Sequence, residues 1–151
     1  MPQNNGLTVE DQVMRVISEL SYGDVVVLGK GMPELISESL PPDISVWILS
    51  DDGVLNAPKS SDRNTLGLHG NSVQSTVDLA SIMHGGHVDV AIVEAREVSS
   101  RGDVVAVTTL NNGNTEGLGW TVDVLSNAGK VIAMGNYFND EGSSVLKNDC
   151  S

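Results

Sequence analysis

Four short apolar-rich runs constrain this chain more than anything else in it: Val25-Val26-Val27-Leu28, residues 44–49, residues 88–93 and residues 131–134. The first has no polar position at all, the pattern of a strand covered on both faces. Between the runs lie stretches with helical spacing. Val13, Val16, Ile17 and Leu20 recur at three- and four-residue intervals behind Thr8, which can cap a helix with Asp11 as its reciprocal partner. Pro33 stands where a second helix can begin, and Pro41-Pro42 ends it after Leu40. Residues 77–83 predict a short helix closed by Gly85-Gly86, and the surroundings of Val122 and Leu125 another, stopped at Gly129. Residues 104–107 predict a further strand. Strands alternating with helices give an α/β fold: a mainly parallel open sheet with helices on both faces.

With 151 residues the chain suits one domain. Residues 1–7 are expected to form a flexible arm, 8–135 the domain, and 136–151 a polar, partly disordered tail. Residues 56–75 are polar and expected to form a long loop or an eroded region. The formal net charge of −12, from eight Lys and Arg against twenty Asp and Glu, disfavours nucleic acid and anionic membranes as partners. No run of about twenty apolar residues is present, and residues 1–8 resemble neither a signal nor a transit peptide. A cytoplasmic address is the expectation. The one cysteine, Cys150, excludes an internal disulfide.

In a parallel sheet, ligands bind where strand C-termini open into loops. That brings three segments forward. In Gly29-Lys30-Gly31-Met32-Pro33, two glycines between a strand and a helix let backbone N–H groups approach an anion, or simply make a tight turn. The motif is neither a P-loop nor a dinucleotide fingerprint. In Ser50-Asp51-Asp52-Gly53 a carboxylate at a strand end can serve as nucleophile or base, or close an Asx turn on its own backbone. In Glu116-Gly117-Leu118-Gly119-Trp120-Thr121, just ahead of a helix, N–H groups can stabilise an oxyanion, or again make a turn. A fourth segment, His84-Gly85-Gly86-His87-Val88-Asp89, has ligand-type residues but not the spacing of a zinc helix motif, so no metal is expected.

In this order the segments resemble the β subunit, or C-terminal half, of family I CoA transferases, the group that contains succinyl-CoA:3-oxoacid CoA-transferase. Gly29-Lys30-Gly31-Met32-Pro33 is similar to the family's Gly-x-Gly-Met/Ile-Pro, and Ser50-Asp51-Asp52-Gly53-Val54-Leu55 to its Ser-Glu-Asn-Gly-Val/Leu-Leu. Met83 through Asp89 resembles its Met-Ile-Arg-Gly-Gly-His-Val-Asp. Val98-Ser99-Ser100-Arg101-Gly102-Asp103 resembles its Val-Ser-x-x-Gly-Asp. Gly117-Leu118-Gly119-Trp120-Thr121-Val122-Asp123 resembles its Gly-Met-Gly-Gly-Ala-Met-Asp. The likeness runs over about residues 8–150, with a gap near 56–75.

The resemblance implies transfer of CoA between an acyl-CoA and a carboxylic acid, through an acyl-carboxylate anhydride and an enzyme–CoA thioester. CoA is then substrate and product, and no resident cofactor is implied. An α subunit is the implied partner. Asp51 takes the position of the family's nucleophilic Glu, one methylene shorter, and Asp52 that of its Asn. Gly119 and Trp120 fall on the oxyanion and acyl-site backbone, with Trp120 where the family has glycine. Gly29, Gly31, Met32, Asp52 and Gly53 fall on the loops bordering CoA or substrate. The segment between Gly53 and Met83 is shorter than the family's, and the family sequence continues past the position of Ser151. Two other readings stay open: a catalytically impaired homologue that serves as a binding or partner subunit, and a sugar-phosphate isomerase-like activity of the same superfamily.

Overall fold

A capping box starts the first helix. Asp11 N–H donates to Thr8 Oγ1 (3.1 Å) and Thr8 N–H to Asp11 Oδ2 (3.2 Å), so two orphan donors of the helix start are satisfied reciprocally. In the computed structural model, which describes residues 6–50, 53–56, 81–82, 85–106, 118–137, 142 and 144–149, this helix is α1, Val9–Ile17. It buries Val13, Val16 and Ile17 on one face and leaves Met14 exposed on another. The next elements are β1 (Val25–Leu28), a 3₁₀ turn (Met32–Glu34) running into α2 (Leu35–Ser39), and β2 (Trp47–Ser50). Then come β3 (Gly53–Asn56), β4 (Val90–Ser99), β5 (Val104–Ala106), α3 (Leu118–Asn127), β6 (Lys130–Met134) and β7 (Leu146–Lys147).

The sheet is mainly parallel, as the apolar runs predict. β1 lies between β2 and β4 and is parallel to both, with Val27 paired to Leu49 and to Ala91. β6 and β7 are parallel to β4, while β3 is antiparallel to β2 and β5 antiparallel to β4. Side chains of β1 alternate between two layers. Val26 and Leu28 pack with Val13, Val16 and Ile17 of α1 and Ile36 of α2. Val25 and Val27 pack on the opposite side with Val124 of α3 and Ile82. Helices therefore cover both faces. All four β1 side chains are buried, which explains the run without a polar position. Full burial of each such side chain contributes roughly 1.5–3 kcal/mol.

The structure revises several boundaries. The strand expected at 44–49 begins only at Trp47, because Ile44 N–H turns back to Pro41 O (3.1 Å). The strand expected at 88–93 starts at Val90 and runs on to Ser99. Its first half pairs with β1 and β6; its second half pairs with β5 and β7, and burial becomes intermittent there. Residues 95–99 thus depend on strand partners rather than on an unbroken apolar run. β3 falls where only a turn and a polar stretch are expected, and it is held by pairing with β2. In the stretch expected as a polar tail, β7 pairs with Val98 and Ser99 of β4. The predicted helix over 77–83 lies outside the described residues except for 81–82, which are helical.

Among the described residues no helix is long and apolar enough to cross a membrane.

Candidate functional site at the strand C-termini

The C-terminal ends of β1 and β2 lie side by side, and two of the predicted segments follow from them directly. Leu28 ends β1 and leads into Gly29. Ser50 ends β2 and pairs with Gly53 across a hairpin, so the chain reverses between them as the sequence predicts. Asp51 and Asp52, between Ser50 and Gly53 in the sequence, lie outside the described residues. The parallel register, Val27 with Leu49, places the C-terminal end of β2 next to that of β1, which leads into Gly29.

The third segment opens α3. The C-terminus of α3 is fixed at the opposite end of the sheet: Gly129 N–H donates to Val88 O (3.0 Å) and Lys130 N–H to Asp89 O (2.8 Å), at the start of β4. Val124 of the helix packs with Val25 and Val27 of β1, and its ten residues span about 15 Å. Gly119 and Trp120 lie inside the first turn of α3, not in a loop ahead of it, because the helix begins at Leu118. The correction leaves their N–H groups without intrahelical acceptors, as in the first turn of any α-helix.

The Gly29–Met32 turn is built on β4. Gly29 N–H donates to Ile92 O (2.8 Å), and a Cβ at Gly29 would sit 3.2 Å from that oxygen. Gly31 takes φ +88°. Its N–H donates to Glu34 Oε2 (3.2 Å), and Met32 N–H donates to Glu94 Oε2 (2.8 Å). A methyl group on Gly31 would overlap the Glu94 carboxylate. The anions that meet these N–H groups are therefore the chain's own carboxylates. Lys30 Nζ lies 3.8 Å from Glu34 Oε1 in an exposed pair, a geometry that contributes little stability. Glu94 and Glu34 escape the sequence reading. Glu34 carries a detectable signal, an acidic residue three positions after a turn glycine. Glu94 is 62 residues from its partner and carries none.

Other predicted features sit elsewhere. Asp89 Oδ2 accepts Val25 N–H (2.8 Å) at the N-terminal end of β1, which gives that carboxylate a structural task away from the candidate site. His87 is exposed, and His84 and Cys150 lie outside the described residues. Among the described residues no three His, Cys, Asp or Glu side chains are gathered to hold a metal ion. The Val98–Asp103 segment is a hairpin corner: the buried Ser99 accepts Asp103 N–H (3.0 Å) and Arg101 N–H (3.2 Å) on Oγ and donates to Asp103 Oδ2 (2.8 Å). A cavity of about 320 Å³ opens between α1 and the end of β6, lined by residues that include Leu7, Gln12, Arg15, Ile132 and Tyr137. None of the predicted site residues among the described ones lines it.

No protein-family model matches the chain. Among curated proteins it is 28% identical over 155 residues to the β subunit of a probable succinyl-CoA:3-ketoacid coenzyme A transferase of Bacillus subtilis, covering 92% of this chain and 70% of that protein. It is likewise 28% identical over 158 residues to the β subunit of a 3-oxoadipate CoA-transferase of Pseudomonas putida, covering 96% and 74%. Among solved structures, the acyl-CoA transferase YdiF of Escherichia coli O157:H7 matches with a TM-score of 0.59 at 22% identity. That match covers 88% of this chain but spans only 26% of the YdiF chain. Glutaconate coenzyme A-transferase of Acidaminococcus fermentans matches with a TM-score of 0.58 at 16% identity, over 97% of this chain and 60% of that one. At these identities the structural matches establish the fold: it is that of the CoA transferases.

Proposed function

Because this chain is a homologue of the β subunits of CoA transferases, we propose that it is the β-type subunit of an acyl-CoA:carboxylate CoA transferase, acting with an α subunit, and that Asp51 is its nucleophile. The observation that carries this reading is where β2 ends. Asp51 follows Ser50 at the C-terminal end of a parallel strand, beside the Gly29 turn, where α/β sheets bind their ligands.

The chemistry follows from a carboxylate at that place. An Asp51 oxygen attacks the thioester carbonyl carbon of acyl-CoA, the C–S bond breaks, and CoA leaves as thiolate. The product on the chain is a mixed anhydride. The thiolate then attacks the aspartyl carbonyl, releasing the first acid and leaving an aspartyl–CoA thioester. An acceptor carboxylate attacks that thioester and forms a second anhydride, expelling the thiolate. Attack of the thiolate on the new acyl carbon gives the new acyl-CoA and frees Asp51. Covalent catalysis divides one difficult transfer into easier steps. The N–H groups of Gly119 and Trp120, in the first turn of α3, are suited to stabilising the tetrahedral oxyanions. CoA is substrate and product, and the residues call for no resident cofactor.

A second reading, a subunit that binds acyl-CoA without turnover, is favoured by one specific feature. Asp51 is one methylene shorter than the glutamate it resembles, and a displacement near 1 Å can lower a rate about a hundredfold. CoA exchange between acetoacetyl-CoA and succinate, measured on the chain with its co-purified α subunit, separates the two. The first reading predicts exchange that Asp51→Asn abolishes. Exchange unaffected by Asp51→Asn removes Asp51 from the chemistry. Tight acetoacetyl-CoA binding without exchange establishes the second reading.

A further inference from the structure

The two glycines of the Gly29–Met32 turn are explained by one strand, β4. At one end of the turn Gly29 lies so close to Ile92 O, with a hydrogen bond of 2.8 Å, that a Cβ would be 3.2 Å from that oxygen. At the other end Met32 N–H is held by Glu94 Oε2 at 2.8 Å, and the Glu94 carboxylate occupies the space that a side chain on Gly31 would need. Ile92 and Glu94 are alternate residues of the same strand and project toward the same layer. Ile92 grips the turn through its backbone, and Glu94 through a half-buried carboxylate, a charge-assisted bond roughly twice as strong as a neutral one. The turn has a further bond of its own, Gly31 N–H to Glu34, which is exposed to water.

We infer that Glu94 is a positioning residue of the candidate site: its carboxylate fixes the Gly31–Met32 peptide against β4 and so sets where the turn stands beside the β2–β3 reversal. This rests on the proposed acyl-CoA site for its functional consequence, but not for the contact itself. A loosened turn would present Gly29, Lys30 and Gly31 to a ligand in several arrangements, and binding would weaken because ordering the turn opposes it. Glu94→Gln keeps an oxygen that can accept Met32 N–H. Glu94→Ala removes the acceptor.

The test has two readouts on the complex with the co-purified α subunit. The first is hydrogen exchange at the Met32 amide. It is expected to speed up by about tenfold or more in Glu94→Ala, with protection largely restored in Glu94→Gln. An unchanged Met32 amide in Glu94→Ala, in a protein whose β1 and β4 amides keep their protection, overturns the positioning role. The second is acetoacetyl-CoA affinity by calorimetry. It is expected to weaken roughly tenfold in Glu94→Ala and to recover in Glu94→Gln. Faster exchange with unchanged affinity overturns the link from turn to site. If the unaltered complex does not bind acetoacetyl-CoA, the acyl-CoA reading fails, and Met32 exchange alone still decides the positioning role.

Discussion

Gly31 combines a positive φ of +88° with a close neighbour, the Glu94 carboxylate, and each alone disfavours a side chain there. Gly31→Ala is expected to destabilise the chain by about 1–3 kcal/mol, read as a lower urea midpoint at unchanged slope. The proposed nucleophilic role of Asp51 makes a prediction about reach. Asp51→Glu is expected to raise CoA exchange, by up to about a hundredfold if reach is the limiting defect. Single residues were unevenly legible. The turn glycines and the carboxylate at the β2 terminus stand in local patterns with local causes. Glu94 does not, because what gives it meaning is a peptide N–H on another strand, 62 residues away. Trp120 shows the intermediate case. Its segment is legible as a helix start, while its place inside the first turn depends on where α3 actually begins.

The elements that a sequence pattern specifies carry an apolar run or stripe of their own, even where, as in β6, Met134 alone is buried. β1, α1 and β6 have apolar periodicity of their own, and each lies close to where that periodicity places it. β3, β7 and the second half of β4 are short or polar, and pairing partners hold them. Their register is a tertiary fact, so no window of sequence contains it. Two predictions belong at this scale. Thr8→Ala removes the side-chain half of the capping box, the Oγ1 acceptor of Asp11 N–H, and leaves the backbone N–H donor to Asp11 in place; it is expected to cost about 1 kcal/mol in thermal or urea unfolding. Ile92→Ala removes a fully buried side chain from the central layer and is expected to cost about 2–5 kcal/mol on the same assay. The contrast between them tests whether stability resides chiefly in the layer formed by β1, β4, α1 and α2.

At the scale of the whole molecule, the ends of β1 and β2 lie side by side in a mainly parallel sheet; the relatives in sequence reported above are CoA transferase subunits, and the neighbours in fold include CoA transferases and the decarboxylase AibA/AibB. The formal net charge of −12 suits a partner with a basic surface, such as the proposed α subunit, and also serves solubility alone. In the proposed reaction a carboxylate becomes covalently attached to CoA. The most direct measurement is the intact mass of this chain, isolated with its α subunit and mixed with acetoacetyl-CoA, followed by peptide mapping. The expected result is a CoA adduct on Asp51 that disappears when succinate is added. An unmodified chain in a preparation where the α subunit is visibly present, or an adduct on another residue, would contradict it.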